Sequence, residues 1–389
     1  MKTAHLSASI LIACSTLTAC AVSPTASPTA PATAPAAASN DAPHAPGAAS
    51  DAPTVGAPRR QLTGHIGDAI RRAPVVDRLA SNTEMRLTIG LPVRDEAALE
   101  AELAQITDPS SPSFRRYLSH EQFAEKYGPS AADYDAVMAW AKAHGLQATA
   151  HPDRVFIKVQ GVARDVEAAF GVHLVVGLRP DGTRFYAPDA EPSVDLDVPI
   201  LHVSHLNDYE VMAASTLPAE ASGAITSAQV RAAYAGTSPL NGAGQTIGIF
   251  AFGNLFLQSD ITSFDGAAGI NPPTVQRRGP AATSTVWQNE ISLDIEVAQS
   301  VAPAAQIVVF NGSTDEIMAN MTADTSIAQF SSSFFPSIDS GEGSDPNLLQ
   351  GLHLFAAHGQ TFFNCSGDGG AYPANTWTNL NDVRAQPFV

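Results

Sequence analysis

Four continuous apolar runs constrain this chain more than any other feature: Thr246 to Phe252, Ile307 to Phe310, Phe330 to Ser333 and Thr361 to Cys365. A strand that faces water on one side alternates apolar and polar residues; a strand covered on both faces need not. The intervening segments read as helices, and strands alternating with helices predict a doubly wound parallel sheet of the α/β class. The last helix is the best marked, with Asp345 as N-cap, Pro346 at its first position, Leu348, Leu349, Leu352 and Phe355 on one face, and Gly359 as its stop. The run that follows ends at Ser366-Gly367-Asp368-Gly369-Gly370. In doubly wound sheets the carboxyl edge of the strands is where sites are built.

The pattern is different before that region. Alternation from Arg86 to Val93 predicts a strand, and Leu99, Leu103 and Ile106 predict a helix after it. Ser119 with Gln122, and Ser130 with Asp133, mark two further helix starts, the second helix ending at Gly145. Val155 to Val159 alternates as a strand, a short helix follows around Val166 to Phe170, and Val172 to Gly177 with Arg184 to Ala187 reads as a hairpin around Pro180-Asp181-Gly182. Elements mixed in this way predict a compact α+β domain ending near Tyr209. Residues 210–223, rich in Ala, Ser, Thr and Pro, read as an exposed processing linker.

Residues 21–58 fold into neither domain. Of these 38 residues, 30 are Ala, Pro, Ser or Thr, and eight of those are proline, so the segment reads as an extended tether. Before it, Lys2, the apolar stretch from Leu6 to Ala13 and Leu17-Thr18-Ala19-Cys20 resemble a bacterial secretory signal ending in a lipobox. Residues 1–20 are then the signal peptide and Cys20 the lipid-modified first residue of an exported, periplasmic or extracellular protein; ordinary cleavage near Ala19 is the simpler alternative. The net charge of −17 argues against nucleic acid as a partner, and leaves the lipid on Cys20 as the route to a membrane.

The residues that could carry chemistry are acids. Glu290 and Asp294 lie four apart at the start of the helix from Ile291 to Val301, so their carboxyls share a face and can share protons. Solvated acids favoured by the helix dipole are the plainer reading of the pair, and the one that fits Glu296 on a different face. Asp368 lies among glycines after a buried strand, open to a ligand or simply forming a turn. The eleven histidines show no HExxH or HxH spacing, and Cys365 reads as a small buried hydrophobe. With no Gly-x-Ser-x-Gly element, the usual serine hydrolase is not assembled.

Three segments in this order resemble one family. Asp108-Pro109-Ser110-Ser111-Pro112-Ser113-Phe114-Arg115-Arg116-Tyr117-Leu118-Ser119, followed by Glu121, Phe123 and Pro129-Ser130, is similar to the pro-kumamolisin activation domain. Glu290-Ile291-Ser292-Leu293-Asp294-Ile295-Glu296 and Asn364-Cys365-Ser366-Gly367-Asp368-Gly369-Gly370 resemble the catalytic helix and the oxyanion segment of the sedolisins, the serine-carboxyl peptidases. The resemblance implies a subtilisin-like doubly wound parallel sheet, here incomplete, preceded by a ferredoxin-like α+β prodomain. Residues 59–209 would be the activation domain and 224–389 the N-terminal part of the peptidase domain.

The resemblance also implies roles. Glu290 would be the general base for a serine, Asp294 its partner and Asp368 the oxyanion donor, with Ser333, Phe334 and Gly367 meeting the substrate. Where the family has an aromatic residue and then Gly, this chain has Ser333-Phe334-Phe335, which would place a bulky side chain in the substrate groove. The Gly-Thr-Ser nucleophile element and the calcium ligands would lie beyond residue 389, as in a C-terminally truncated chain. The implied function is the exported proenzyme of an acid-active endopeptidase acting on proteins or peptides and inhibited by its own prodomain. A catalytically dead remnant, or a non-catalytic secreted binding or inhibitory module, is the alternative.

Overall fold

The computed structural model describes residues 58–209, 225–334 and 345–365. The signal, the tether, the 210–223 linker, Cys20, Gly367 and Asp368 lie outside the described residues. None of the described helices is long and apolar enough to cross a membrane.

From residue 58 to 209 the elements are β1 (Arg60–Gln61), α1 (Asp68–Arg72), β2 (Val75–Arg78), β3 (Glu84–Gly90), α2 (Glu96–Thr107), α3 (His120–Lys126), α4 (Ala131–Ala143), β4 (Gln147–Ala150), β5 (Phe156–Val162), α5 (Ala163–Phe170), β6 (Leu174–Leu178), β7 (Arg184–Pro188), β8 (Ser193–Val194) and β9 (His202–Ser204). Strands β4, β5, β3 and β9 lie side by side in that order, every neighbouring pair antiparallel, which is the split β-α-β-β-α-β arrangement. The helix starts follow local chemistry. Ser119 and Gln122 close a full capping box on α3, and the Ser130 hydroxyl accepts from the Asp133 amide at the head of α4. Leu99, Leu103 and Ile106 of α2 are all buried, as their spacing predicts.

From residue 225 onward come α6 (Ser227–Tyr234), β10 (Thr246–Phe250), α7 (Gln258–Ala268), β11 (Gln276–Arg278), α8 (Gln288–Val301), β12 (Gln306–Phe310), α9 (Thr314–Thr322), β13 (Gln329–Ser332), α10 (Pro346–His358) and β14 (Thr361–Asn364). The five strands form one parallel sheet in the order β11-β12-β10-β13-β14. The chain leaves β10 for the β11 edge and steps back to β12, yet α7 and α8 pack against each other on one face. Steps in opposite directions with both helices on the same face require crossovers of opposite hand, against the usual uniform right hand.

The opposite face is aromatic. Phe250 pairs with Phe310 and Phe330 with Phe362, all on the side where Phe355 of α10 packs. Gly248 makes room for this layer, since a Cβ there would meet the Phe330 ring at 2.2 Å. The last run departs from the sequence reading. At the edge of the described sheet β14 alternates in exposure, with Phe363 58% exposed and Cys365 half-buried, because no strand or helix among the described residues covers its outer side.

The region from residue 58 to 209 docks on α9 and α10. Leu99, Leu103, Phe123, Tyr127, Val155 and Phe156 share one core with Ala319, Leu354 and Ala357. Polar contacts fix the register of that docking. The Ser204 hydroxyl donates to Asp345, the N-cap of α10, at 2.8 Å, and the Asn347 amide donates to Ser204 at 2.8 Å. Gly90 allows this approach, because a Cβ there would lie 1.7 Å from the Asn347 side-chain oxygen.

Candidate active site

Helix α8 begins without a capping side chain of its own. Its start is held instead by Asn254, in the loop after β10: Asn254 Oδ1 accepts from the Trp287 amide at 3.2 Å, while its Nδ2 donates to the Ala251 and Phe252 carbonyls. Asn254 is buried, and a parallel bridge between Asn254 and Ser284 ties the two loops together. The central strand thereby positions the first turn of α8, where Glu290 lies half-buried. Nothing in the sequence around Asn254 signals this role, because its partner is 33 residues away.

One turn further along α8, Asp294 meets Ser333 at the carboxyl end of β13. The Ser333 hydroxyl donates to Asp294 Oδ1 at 2.6 Å, and Asp294 Oδ2 is buried without a hydrogen-bond partner among the described residues. Desolvation pushes the Asp294 carboxyl up to about 7, the charge of Glu290 pushes in the same direction, and the Ser333 bond opposes both. With Oδ1 occupied as an acceptor, Oδ2 is the atom that carries the proton near neutral pH and below. The pair is therefore an electrostatically coupled couple with one member held protonated, the arrangement that lets two acids play different parts.

Glu296 corrects the sequence reading. It is 8% exposed rather than solvated, and burial, reinforced by Asp260 and Asp265 of α7, raises its carboxyl to about 7. Its neighbours are on another helix, so helical spacing within α8 does not reveal them. Phe334 turns its ring into the core at 1% exposure, while Phe335, which stands where the family has Gly, lies outside the described residues. Asp294 and Ser333 are brought together, with Glu290 one turn away. Asp368 and Gly367 lie outside the described residues.

Comparison with known proteins supplies the context for this arrangement. Residues 72–204 match the model of the pro-kumamolisin activation domain. Sedolisin of Pseudomonas sp. (strain 101) is 27% identical over 362 residues, covering 84% of this chain and 61% of its own length. Kumamolisin of Bacillus sp. (strain MN-32) is 28% identical over 65% of this chain and 50% of its own length. Xanthomonalisin of Xanthomonas sp. (strain T-22) is 26% identical over 77% of this chain and 41% of its own length. The chain is similar to the sedolisins over most of its length. It carries a pro-kumamolisin activation domain in front of a parallel α/β sheet, and it spans between 41% and 61% of the length of these relatives.

This similarity directs attention to the carboxyl edge of the sheet. A cavity of about 110 Å³ lies there, lined on one side by His65, His202 and His205 of the N-terminal region and on the other by Phe252 and Ser313 from the loops after β10 and β12 and by Asp315 at the start of α9. Phe252, immediately after the central strand, adopts a positive φ of 40°, a conformation uncommon for a bulky residue. Burial lowers the His205 imidazole to about 4, so it is neutral where it faces this edge. The activation domain thus covers part of the edge at which the site is built.

Proposed function

We propose that this chain is the N-terminal part of the zymogen of an acid-active serine-carboxyl endopeptidase, exported and held inactive by its own activation domain. The observation that carries the reading is the Asp294 carboxyl, desolvated on α8, bonded to Ser333 and raised to about 7 beside Glu290. On the resemblance to the sedolisins, these acids would be the base and its partner in a subtilisin-like sheet preceded by a ferredoxin-like prodomain.

The proposed chemistry follows from the proton inventory. Glu290, ionised, takes the proton of a serine hydroxyl as that oxygen bonds to the substrate carbonyl carbon; the resemblance places this serine beyond residue 389. Asp294, protonated, adds no second negative charge beside Glu290, and its Oδ2 proton is available to the Glu290 carboxylate should the two side chains close up. The carbonyl oxygen acquires negative charge and is met by Asp368, which donates only when protonated, so the reaction belongs to acid pH. The proton on Glu290 then passes to the leaving amine as the peptide bond breaks, and water releases the acyl group. Ser333 and the backbone around Phe334 and Gly367 would flank the substrate. Calcium, implied by the resemblance, would be held outside this chain and enters none of these steps.

Coverage of the carboxyl edge by His65, His202 and His205 supports intramolecular inhibition by the activation domain. Cleavage within 210–223 would release it, and Cys20 would anchor the protein if lipidated. The test is Glu290→Gln in protein expressed from the complete reading frame. Peptidase activity at pH 4 should fall by roughly 10²–10⁴-fold, the range general base catalysis supplies. Undiminished activity would overturn the assignment, and absence of activity in the unaltered protein would favour a non-catalytic inhibitory module.

A further inference from the structure

Where α3 of the activation domain meets the end of α10, three side chains converge that the peptidase chemistry does not use. His120 opens α3, Asp153 lies in the turn between β4 and β5, and His358 ends α10. Asp153 is fully buried, with Oδ1 3.0 Å from His120 Nδ1 and Oδ2 3.1 Å from His358 Nε2. The three ligand-type atoms lie within 4.8 Å of one another.

Hydrogen-bond bookkeeping shows what such a cluster lacks. His358 Nδ1 is 2.8 Å from the Leu118 carbonyl, which only accepts, so this nitrogen carries a hydrogen. In a neutral ring the other nitrogen, Nε2, is then bare, and it points at a carboxylate oxygen that also only accepts. His120 poses the same problem: its Nδ1 faces Asp153, and its outer Nε2 is buried close to the Ala323 carbonyl without a well-formed hydrogen bond. Neither lysine nor arginine relieves the centre, because the nearby Arg154 guanidinium donates to the Ala124 carbonyl instead. Positive charge must therefore sit between the carboxylate and the imidazoles, as two added protons or as one metal ion.

Geometry favours the ion. Two imidazolium rings on one buried carboxylate would place like charges with ring centroids 4.6 Å apart. A single divalent ion satisfies both nitrogens and the carboxylate at once, and the outer Nδ1 bond of His358 to a backbone carbonyl is the supporting contact that metal-bound histidines use. His151 completes the floor. Its Nε2 donates to the Ala319 carbonyl at 3.1 Å and its Nδ1 accepts from the Asp153 amide at 3.3 Å, so both ring nitrogens are occupied and the ring buttresses rather than ligates. The His120 side chain keeps 19% exposure, leaving a route in from solvent and room to swing toward metal bonds of about 2.1 Å.

We propose that His120, Asp153 and His358 form a divalent-cation site, selective by its nitrogen and oxygen donors for zinc over calcium or magnesium, that ties the activation domain to α10. Two histidines and a carboxylate, with water or the second carboxylate oxygen in the fourth position, are a zinc donor set. Two ligands come from the activation domain and one from the α/β half, so the ion spans the junction that must open when the domain leaves. The site stands apart from the carboxylates of α8 and does not depend on their proposed role.

The test uses the whole chain, stripped with a chelator and titrated with zinc chloride by calorimetry at pH 7.5. One equivalent should bind, and His120→Ala, at the most exposed ligand, should weaken that binding by more than the roughly 10- to 100-fold typical of losing a supporting partner. Cobalt(II) added to the unaltered chain should give the visible absorption of a four-coordinate nitrogen and oxygen site, a readout that needs no variant to fold. Calcium should not compete. Absence of a saturable one-to-one event, equal zinc binding by His120→Ala, or a six-coordinate aqueous cobalt spectrum would each overturn the proposal and leave two protons as the charge on this cluster.

Discussion

The two faces of the parallel sheet treat buried acid in opposite ways. On the α8 face, Asp294 is desolvated beside Glu290 and Glu296 is buried beside Asp260 and Asp265, and both carboxyls rise to about 7. Where the N-terminal region meets α9 and α10, each acid has a basic partner across the junction: Glu316 of α9 meets Arg86 at 3.2 Å and the charge of Lys158, and Asp153 of the N-terminal region meets His358 of α10. Burial is similar on the two faces; what differs is whether a basic partner arrives from elsewhere in the chain. An uncompensated buried acid holds a proton that can be used, while a compensated one holds two pieces of structure together.

That contrast can be broken from either side. The largest expected effect is at Asp294. Because its folded-state pKa is raised, the folded protein binds more protons than the unfolded chain between about pH 4 and 7, and stability falls as pH rises across that interval. A rise from 3.8 to about 7 corresponds to about 4 kcal/mol. Asp294→Asn keeps an acceptor for Ser333 and should gain up to that amount at pH 8 and nothing at pH 4, as urea unfolding at the two pH values would measure. A gain independent of pH would remove the electrostatic explanation.

On the compensated face the sign reverses. Arg86→Ala leaves Glu316, whose side chain is 11% exposed, with Lys158 as its remaining counter-charge, and should destabilise by about 1–3 kcal/mol in the same assay. Adding Glu316→Met to Arg86→Met should recover only part of the loss, since the double change leaves Lys158 with the neutral Asn320 in place of its acidic counter-charge. Failure of the double change to recover stability would mean that packing of the Arg86 stem, not charge, dominates.

The smallest effect belongs to Glu296. Glu296→Gln should stabilise at pH 8 by about 1–2 kcal/mol and leave stability at pH 4 unchanged, less than Asp294 because Asp260, one of its two acidic neighbours, is exposed and screened. A loss of stability at pH 8 would show an unrecognised partner and blur the contrast between the faces.

Features set by neighbours in sequence were legible in advance. The capping box of Ser119 and Gln122 and the Asp345, Pro346 and Gly359 punctuation of α10 each lie within one helix, so the residues themselves state the element. The strands β10, β12 and β13 declared themselves by apolar runs, but β11, reading Gln276-Arg277-Arg278, did not. It is held by contacts from outside: the Arg277 guanidinium stacks 4.0 Å over Phe256 and Arg278 pairs with Asp324. Glu290 and Asp294 were readable as one helix face, whereas the burial of Glu296 depends on α7 and the anchoring of α8 depends on Asn254. His120, Asp153 and His358 lie 33 and 205 residues apart, beyond any spacing motif, and only the docking of the two regions brings them together.

The most direct test of the central claim is the titration of Asp294 itself, followed by carbon-13 carboxyl resonances in the folded chain and assigned by loss of the signal in Asp294→Asn. A midpoint near 7 is the predicted result and would establish a desolvated, uncompensated acid one turn from Glu290. A midpoint near the ordinary 3.8 would mean that Asp294 is an ionised, solvated helix acid, and would contradict the account of the α8 face as the site of proton transfer.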